Sequence, residues 1–370
     1  MLKPLPDYPW DQMVPFATQA REHSGGIVDL SIGSPVDPTP DVIQQALRAA
    51  TDAHSYPQTV GTPLLQQAII TWYARRRAVE GLQPKNVLPT IGSKELVAFM
   101  PFMLGFGEGD VVVHPRAAYP TYAIGAAIAG ATALACDNPA EWPEKTKLIW
   151  LNSPGNPDGR VLSVEYLRAA VARARELGAV IVNDECYAEL GWDAPWNTTP
   201  IPSILDDRVI DGDRRNIVAI YSLSKQSNMA GYRAAFAAGC GGVLGRLLTV
   251  RKHAGLMLPA PLQAAMIAAL HDDEHVEVQK ECYRARREVL RPALERAGFR
   301  IDNSEAGLYL WATEGRAAWE SIERLAGLGI LAGPGLFYGD HFSQHVRFSL
   351  TATDERISAA AERLRCEEPG

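Results

Sequence analysis

The chain carries a lysine that closely follows two hydroxyls at the end of an apolar run. Ser222-Leu223-Ser224-Lys225 comes directly after Asn216-Ile217-Val218-Ala219-Ile220-Tyr221, and Arg233 lies eight residues further on. An amine that is to attack a carbonyl must be partly desolvated, near cationic or polar groups that lower its pKa. A strand end inside a cleft supplies that setting. Two hydroxyls and an arginine at one point also suit a phosphate dianion. Taken alone, Lys225 reads as an exposed loop lysine, as most lysines do; its neighbours favour the reactive reading.

Three further clusters sit at comparable places. Asn183-Asp184-Glu185-Cys186-Tyr187 ends the apolar run Ala179–Val182, and its carboxylate can cap a helix, pair with a cation or face a cationic ring nitrogen. Asn156-Pro157-Asp158-Gly159 reads as a turn, which would also fix the direction of the Asn156 amide. Gly92-Ser93-Lys94-Glu95 precedes Leu96-Val97-Ala98-Phe99 and reads as a turn opening a helix. Free N–H groups there would seat a phosphate, although many helices begin this way without binding anything.

The elements that must position these residues alternate. Strand-like runs occur at 111–115, 147–152, 179–184 and 216–222. Between them, Val164–Leu177 places Val164, Leu167, Val171 and Ala174 at three- and four-residue steps. Strand and helix in alternation predict a largely parallel sheet covered by helices, with ligands at the carboxyl ends of its strands. A long charged helix is expected from Glu274 to Gly298, with Pro292 placed to bend it. Strand-like pieces at 307–313 and 345–350, with a helix between them and another ending at Leu364, predict a smaller α+β lobe.

Composition narrows the partners. The chain has 370 residues, 47% hydrophobic and 21% charged, with a net charge of −7. That is a globular protein of two packed lobes without a basic tract for nucleic acid. Cys136, Cys186, Cys240, Cys282 and Cys366 show no zinc-ligand spacing. Their scatter suits a reducing cytoplasm, and no metal is expected. Neither an apolar signal core nor a run long enough for a membrane span is found.

In this order the motifs resemble one family, the class I/II aminotransferases among fold-type I pyridoxal-phosphate enzymes. The resemblance runs from Ile32-Gly33-Ser34-Pro35 through Tyr56-Pro57 with Gly61, Gly92-Ser93-Lys94 and Tyr119-Pro120-x-Tyr122. It continues through Asn156-Pro157-x-Gly159, Asp184-Glu185-x-Tyr187 and Ser222-x-Ser224-Lys225 with Arg233, and ends at Val346-Arg347-Phe348-Ser349. Each motif alone is ordinary; their ordered succession is specific. The resemblance implies an α/β fold: a large three-layer α/β/α domain with a mostly parallel sheet over 35–275. A smaller α+β domain would combine 1–34 with 276–370.

It also implies a cofactor, pyridoxal 5′-phosphate, held by Lys225 as a Schiff base, with Lys225 then serving as proton shuttle. Asp184 would pair with the pyridine nitrogen, Asn156 and Tyr187 with the phenolic oxygen, and Tyr119 would stack on the ring. Ser222, Arg233 and the amides of Ser93 and Lys94 would bind the phosphate. Tyr56 would reach the phosphate of a neighbouring subunit, implying a homodimer with shared sites. Gly33, Asn156 and Arg347 would contact the substrate, Arg347 gripping the α-carboxylate as a bidentate fork. Gly333-Pro334-Gly335-Leu336-Phe337-Tyr338-Gly339 resembles the family's Pro-Gly-x-x-Phe-Gly turn with Tyr338 as an added residue, which predicts a locally altered backbone.

The strings Ser222–Arg233 and Tyr56–Pro63 are similar to N-succinyldiaminopimelate aminotransferases of bacterial lysine biosynthesis, with glutamate as donor. Such a substrate needs a cation for its distal carboxylate, for which Lys94 and Arg116 are candidates, each also readable as a surface or phosphate-loop residue. Aspartate, aromatic or alanine aminotransferases, and a C–S lyase on the same scaffold, would share the cofactor residues. A transcription regulator with an aminotransferase-like domain is disfavoured, because motifs starting at Gly33 leave no room for a winged helix.

Overall fold

The computed structural model describes residues 5–366, so 1–4 and 367–370 of the expected smaller domain lie outside the described residues. The strands are β1 (Val28–Asp29), β2 (Val87–Ile91), β3 (Val111–His114), β4 (Thr132–Ala135), β5 (Thr146–Asn152), β6 (Val180–Asp184) and β7 (Ile217–Ser222). They continue with β8 (Ala234–Gly239), β9 (Arg300–Ile301), β10 (Tyr309–Thr313), β11 (Ile330–Leu331), β12 (Gly333–Pro334) and β13 (His345–Ser349).

Seven strands form one sheet in the order β2-β8-β7-β6-β5-β3-β4. Only β8 runs antiparallel to its neighbours. The apolar runs are continuous because both faces are covered. Leu148 and Trp150 of β5 point into one core with Val180, Val182, Val218 and Ile220. Ile149 and Leu151 point into the other with Ile181, Ile217, Ala219 and Tyr221. The architecture is α/β, with a mostly parallel sheet between layers of helices, as the resemblance implies.

Helix Val164–Leu177 follows the expected stripe, burying Leu167, Ala170, Val171 and Ala174. Ser163 caps it by accepting the Tyr166 N–H at 3.2 Å. Each buried leucine or valine contributes about 1.5–3 kcal/mol. The last third of the chain makes a four-stranded antiparallel sheet, β12-β13-β10-β9. The long helix spans Glu274–Arg296 and continues through Pro292.

The N-terminal segment packs on this C-terminal lobe. Met13, Val28 and Leu30 share a core with Leu290, Leu310 and Phe348. Strand β1 pairs in parallel with β11, and the Leu30 N–H donates to the Leu331 carbonyl at 2.7 Å. This return carries Ser31 and Gly33 toward β13. Among the described residues no helix is long and apolar enough to cross a membrane.

Candidate active site

Sheet register brings the polar strand ends together. Asn152 of β5 stands opposite Asp184 of β6, and Ser222 ends the next strand, β7. The Asn152 amide donates to the Asp184 carbonyl at 2.8 Å, while its Oδ1 accepts the Asn156 N–H at 2.8 Å. One side chain therefore sets the turn that carries Asn156. The Asp184 carboxylate is buried; it accepts the Tyr122 hydroxyl at 3.0 Å and the Cys186 N–H at 3.2 Å. Burial pushes its pKa up despite these donors, so a cation beside it would be strongly favoured. Behind it, the fully buried Glu185 accepts from Ser203 Oγ at 2.9 Å, the Ile204 N–H at 2.8 Å and Arg77 at 3.2 Å. Those bonds anchor the loop on which Asp184 and Tyr187 sit.

Lys225 lies on the short helix Leu223–Gln226, capped by Ser222, whose Oγ accepts the Ser224 N–H at 3.2 Å. Its Nζ donates to the Gly33 carbonyl, and the Tyr283 hydroxyl donates to its own carbonyl at 3.2 Å. Burial holds the Lys225 pKa below the usual lysine value, and the Arg347 and Arg233 cations act in the same direction.

A helix N-terminus and an arginine meet near the lysine. Ile91 at the end of β2 is the register partner of Ala234 at the start of β8. That pairing sets Gly92, the first residue of helix Gly92–Met103, against Arg233. A Cβ on Gly92 would stand 2.7 Å from the Arg233 Cζ, and its φ of +73° is one that L side chains rarely adopt. The first-turn N–H groups, those of Ser93 and Lys94 included, have no partners within the helix. The Lys94 side chain turns outward, its ammonium 5.8 Å from the Tyr8 ring centroid. Arg233 is exposed and donates to the Ala230 carbonyl at 2.8 Å.

Arg347 on β13 forms the opposite wall. It is 4% exposed. Nη1 donates to Asn156 Oδ1 at 2.8 Å and Nη2 to the Ser31 carbonyl at 2.7 Å, while the buried Nε has no partner among the described residues. Its Cζ lies 3.9 Å from the Tyr309 ring centroid and 4.6 Å from that of Tyr338. The expectation about Tyr338 is corrected here. Counted from Pro334, the stretch through Gly339 has the six residues of Pro-Gly-x-x-Phe-Gly, so nothing is inserted. Tyr338 occupies the Phe place, its ring packed on Arg347 and its buried hydroxyl without a partner.

Tyr187 is buried, with its hydroxyl 3.4 Å from that of Tyr309. Tyr119 is half-buried, edge-on to Tyr122 at 5.8 Å, and burial raises its phenol to about 12. Tyr122 in turn stacks on Trp150 at 5.1 Å. Gly33 packs against Tyr309, where a Cβ would come within 2.9 Å of the ring. The contacts above join most of the candidates into one cluster at the strand ends; Tyr56 is 96% exposed.

Four contributors were not assigned roles from sequence: Tyr122, Asn152, Tyr309 and Tyr338. Tyr122 sits within the Tyr119-Pro120-x-Tyr122 motif, and Asn152 ends the strand-like run 147–152. Tyr309 lies two residues from Trp311, the register partner of Arg347, so its place on the Arg347 face is legible only once the register is known.

The chain is matched by the family model "Aminotransferase class I and II" over residues 26–364. It is 54% identical to the 4-dedimethylamino-4-oxo-anhydrotetracycline transaminase OxyQ of Streptomyces rimosus, covering 98% of this chain and 100% of that one. It is 33% identical to the LL-diaminopimelate aminotransferase of Aquifex aeolicus, covering 98% and 97%. An aminotransferase structure from Neisseria meningitidis superposes with a TM-score of 0.86 at 29% identity, covering 98% and 97%.

The residues fit the cofactor of such enzymes. A half-buried amine, a buried carboxylate, a helix N-terminus beside Arg233 and an Arg347 Nε without a partner among the described residues suit an aldehyde, a ring nitrogen, a phosphate and a carboxylate. From the matched span, the relatives and the sheet order, this chain belongs to the class I and II aminotransferases, transferases of fold type I that depend on pyridoxal 5′-phosphate.

Proposed function

We propose that this aminotransferase moves an amino group between glutamate and the keto acid corresponding to N-succinyl-LL-2,6-diaminopimelate, in lysine biosynthesis. The observation that carries the amino transfer is the half-buried Lys225 amine, lowered in pKa and linked through Gly33 and Tyr309 to the Arg347 fork. Pyridoxal phosphate, when bound, supplies the electron sink for the substrate's α-carbon.

The chain's own groups do the rest. Lys225 would hold the cofactor through its aldehyde and, once displaced, carry the α-proton, its lowered pKa leaving more neutral amine at working pH. Asp184 would keep the ring nitrogen protonated, with Tyr122 orienting the carboxylate. Tyr187 and Asn156 would donate to the phenolic oxygen, and Tyr119 would cover a ring face. Ser222, Arg233 and the Ser93 and Lys94 amides would hold the phosphate. Arg347, turned by Asn156 and Ser31, would take the α-carboxylate beside Gly33.

The LL-diaminopimelate relative supports the substrate class, as does the Lys94 ammonium beside Tyr8, available to a distal carboxylate. A homodimer is part of the proposal: Tyr56 is 96% exposed and Phe102 58%, apolar surface suited to a second copy. The five free cysteines accord with a cytoplasmic place. OxyQ, at 54% identity, favours a second reading in which the acceptor is a bulky cyclic ketone.

The test is a half-reaction screen. Holoenzyme is mixed singly with glutamate, succinylated diaminopimelate, aspartate, alanine and tyrosine, and loss of the bound cofactor's visible absorbance is followed. Glutamate and succinylated diaminopimelate should react fastest. If the latter leaves the spectrum unchanged while aspartate or tyrosine reacts, the substrate assignment falls.

A further inference from the structure

We propose that Tyr309 is a positioning residue of this site, its ring face holding the Arg347 guanidinium and its hydroxyl donating to Tyr187. Tyr187's own proton is then directed at the cofactor's ring oxygen. The proposal rests on the reading of Tyr187 given above.

Tyr309 is 4% exposed and fixed from both sides. On one side the Arg347 Cζ lies 3.9 Å from its ring centroid, close enough for a desolvated cation–π contact. On the other, Gly33 approaches so closely that a Cβ would stand 2.9 Å from the Tyr309 Cζ. The same Gly33 offers its carbonyl to Lys225. The Tyr309 hydroxyl is thereby held near the lysine, 3.4 Å from the Tyr187 hydroxyl, with the two rings edge-to-face at 5.8 Å.

A phenol has one proton to give. If Tyr187 spends its proton on Tyr309, the cofactor's oxygen loses a donor; if Tyr309 donates, Tyr187 is free to point at the cofactor. The reading of Tyr187 given above requires the second direction. Facing this pair are Asp184 at the end of β6 and Cys186 just after it, together with Lys225 and Arg347, and around Tyr309 also the phenols of Tyr119, Tyr283 and Tyr338. Burial pushes both phenols up. At Tyr309 the Arg347 and Lys225 cations outweigh it and hold the phenol below its ordinary value, whereas Tyr187 stays well above. Where Tyr187 gives its proton to the cofactor's oxygen, as in the reading above, the Tyr309 hydroxyl 3.4 Å away is left as the donor of the pair, and a donor that is itself a hydrogen-bond acceptor is strengthened.

A hydrogen bond to the ring oxygen stabilises that oxygen as an anion. It therefore favours loss of the proton from the nitrogen linking Lys225 to the cofactor and lowers the pH at which the visible absorption changes. Spectral titration of holoenzyme tests the inference without turnover. Tyr187→Phe should move the midpoint up by about 1–2 pH units. Tyr309→Phe, which preserves the ring, should move it up by about 0.3 of a unit. In the double variant Tyr309→Phe should add nothing, because its effect runs through Tyr187. Tyr309→Leu, which also removes the ring, should raise the glutamate KM about three- to fivefold beyond Tyr309→Phe.

A Tyr309→Phe midpoint equal to wild type, or a shift that adds in full to that of Tyr187→Phe, overturns the proposal. An unmoved midpoint in Tyr187→Phe instead overturns the reading of Tyr187 and takes the proposal with it.

Discussion

Replacing Arg347 by lysine keeps the charge and removes the fork. In the structure the guanidinium already divides itself, Nη1 to Asn156 at 2.8 Å and Nη2 to Ser31 at 2.7 Å, with Nε unpaired. A lysine ammonium at 4% exposure cannot keep both partners and also present two parallel N–H groups to a carboxylate. The loss of one charge-assisted bond costs about 1.5–3 kcal/mol, and the planar contact with Tyr309 adds about 0.5–1 kcal/mol. The retained charge offsets part of this, leaving a net loss of about 2–3 kcal/mol, or about 30- to 150-fold in kcat/KM. The loss should fall mainly on KM, since the carboxylate is bound alike in ground and transition states. The assay is the concentration dependence of the half-reaction with glutamate, beside that with an amine lacking the α-carboxylate. Glutamate should lose its advantage while the amine is little affected. An unchanged glutamate KM, or an equal loss for both compounds, would refute the carboxylate role.

Other consequences follow from the same geometry. Because burial depresses the Lys225 pKa, apoenzyme should bond added pyridoxal phosphate with a rate rising through a midpoint below that of a free lysine side chain; a midpoint at or above the usual lysine value contradicts this. The linkage sign is that of a depressed base: as pH falls through the ordinary lysine range to the lowered one, the unfolded chain takes the proton first. This group's contribution to stability is lost over that window. Glu185→Ala leaves the buried Arg77 without its partner and should cost about 3–5 kcal/mol, read as a lower urea midpoint of the apoenzyme; an unchanged midpoint would remove Glu185 from its anchoring role. Gly92→Ala sets a methyl group against Arg233 at a φ of +73° and should weaken pyridoxal-phosphate affinity at least about tenfold. Fluorescence titration of apoenzyme checks it, and an affinity within twofold of wild type counts against the phosphate seat.

How much could be read without coordinates depended on distance along the chain. Strands β5, β6 and β7 and the helix Val164–Leu177 were legible because apolar periodicity is local and each element buries the faces its own spacing defines. The strand-end placement of Asp184, Ser222 and Lys225 followed from the same runs. The count of the Pro334–Gly339 turn was available too, although only the packing of Tyr338 on Arg347 gives that position meaning.

The chain alone thus determined which chemical groups are present and that strand ends would carry them. Tertiary structure decided which groups meet: Lys225 with Gly33, 192 residues away, Arg347 with Asn156, 191 away, and Asp184 with Tyr122, 62 away. Those meetings depend on sheet order and register. A slip of one residue would turn every side chain of a strand to its other face, and no pattern within a single segment encodes which segment will lie beside it.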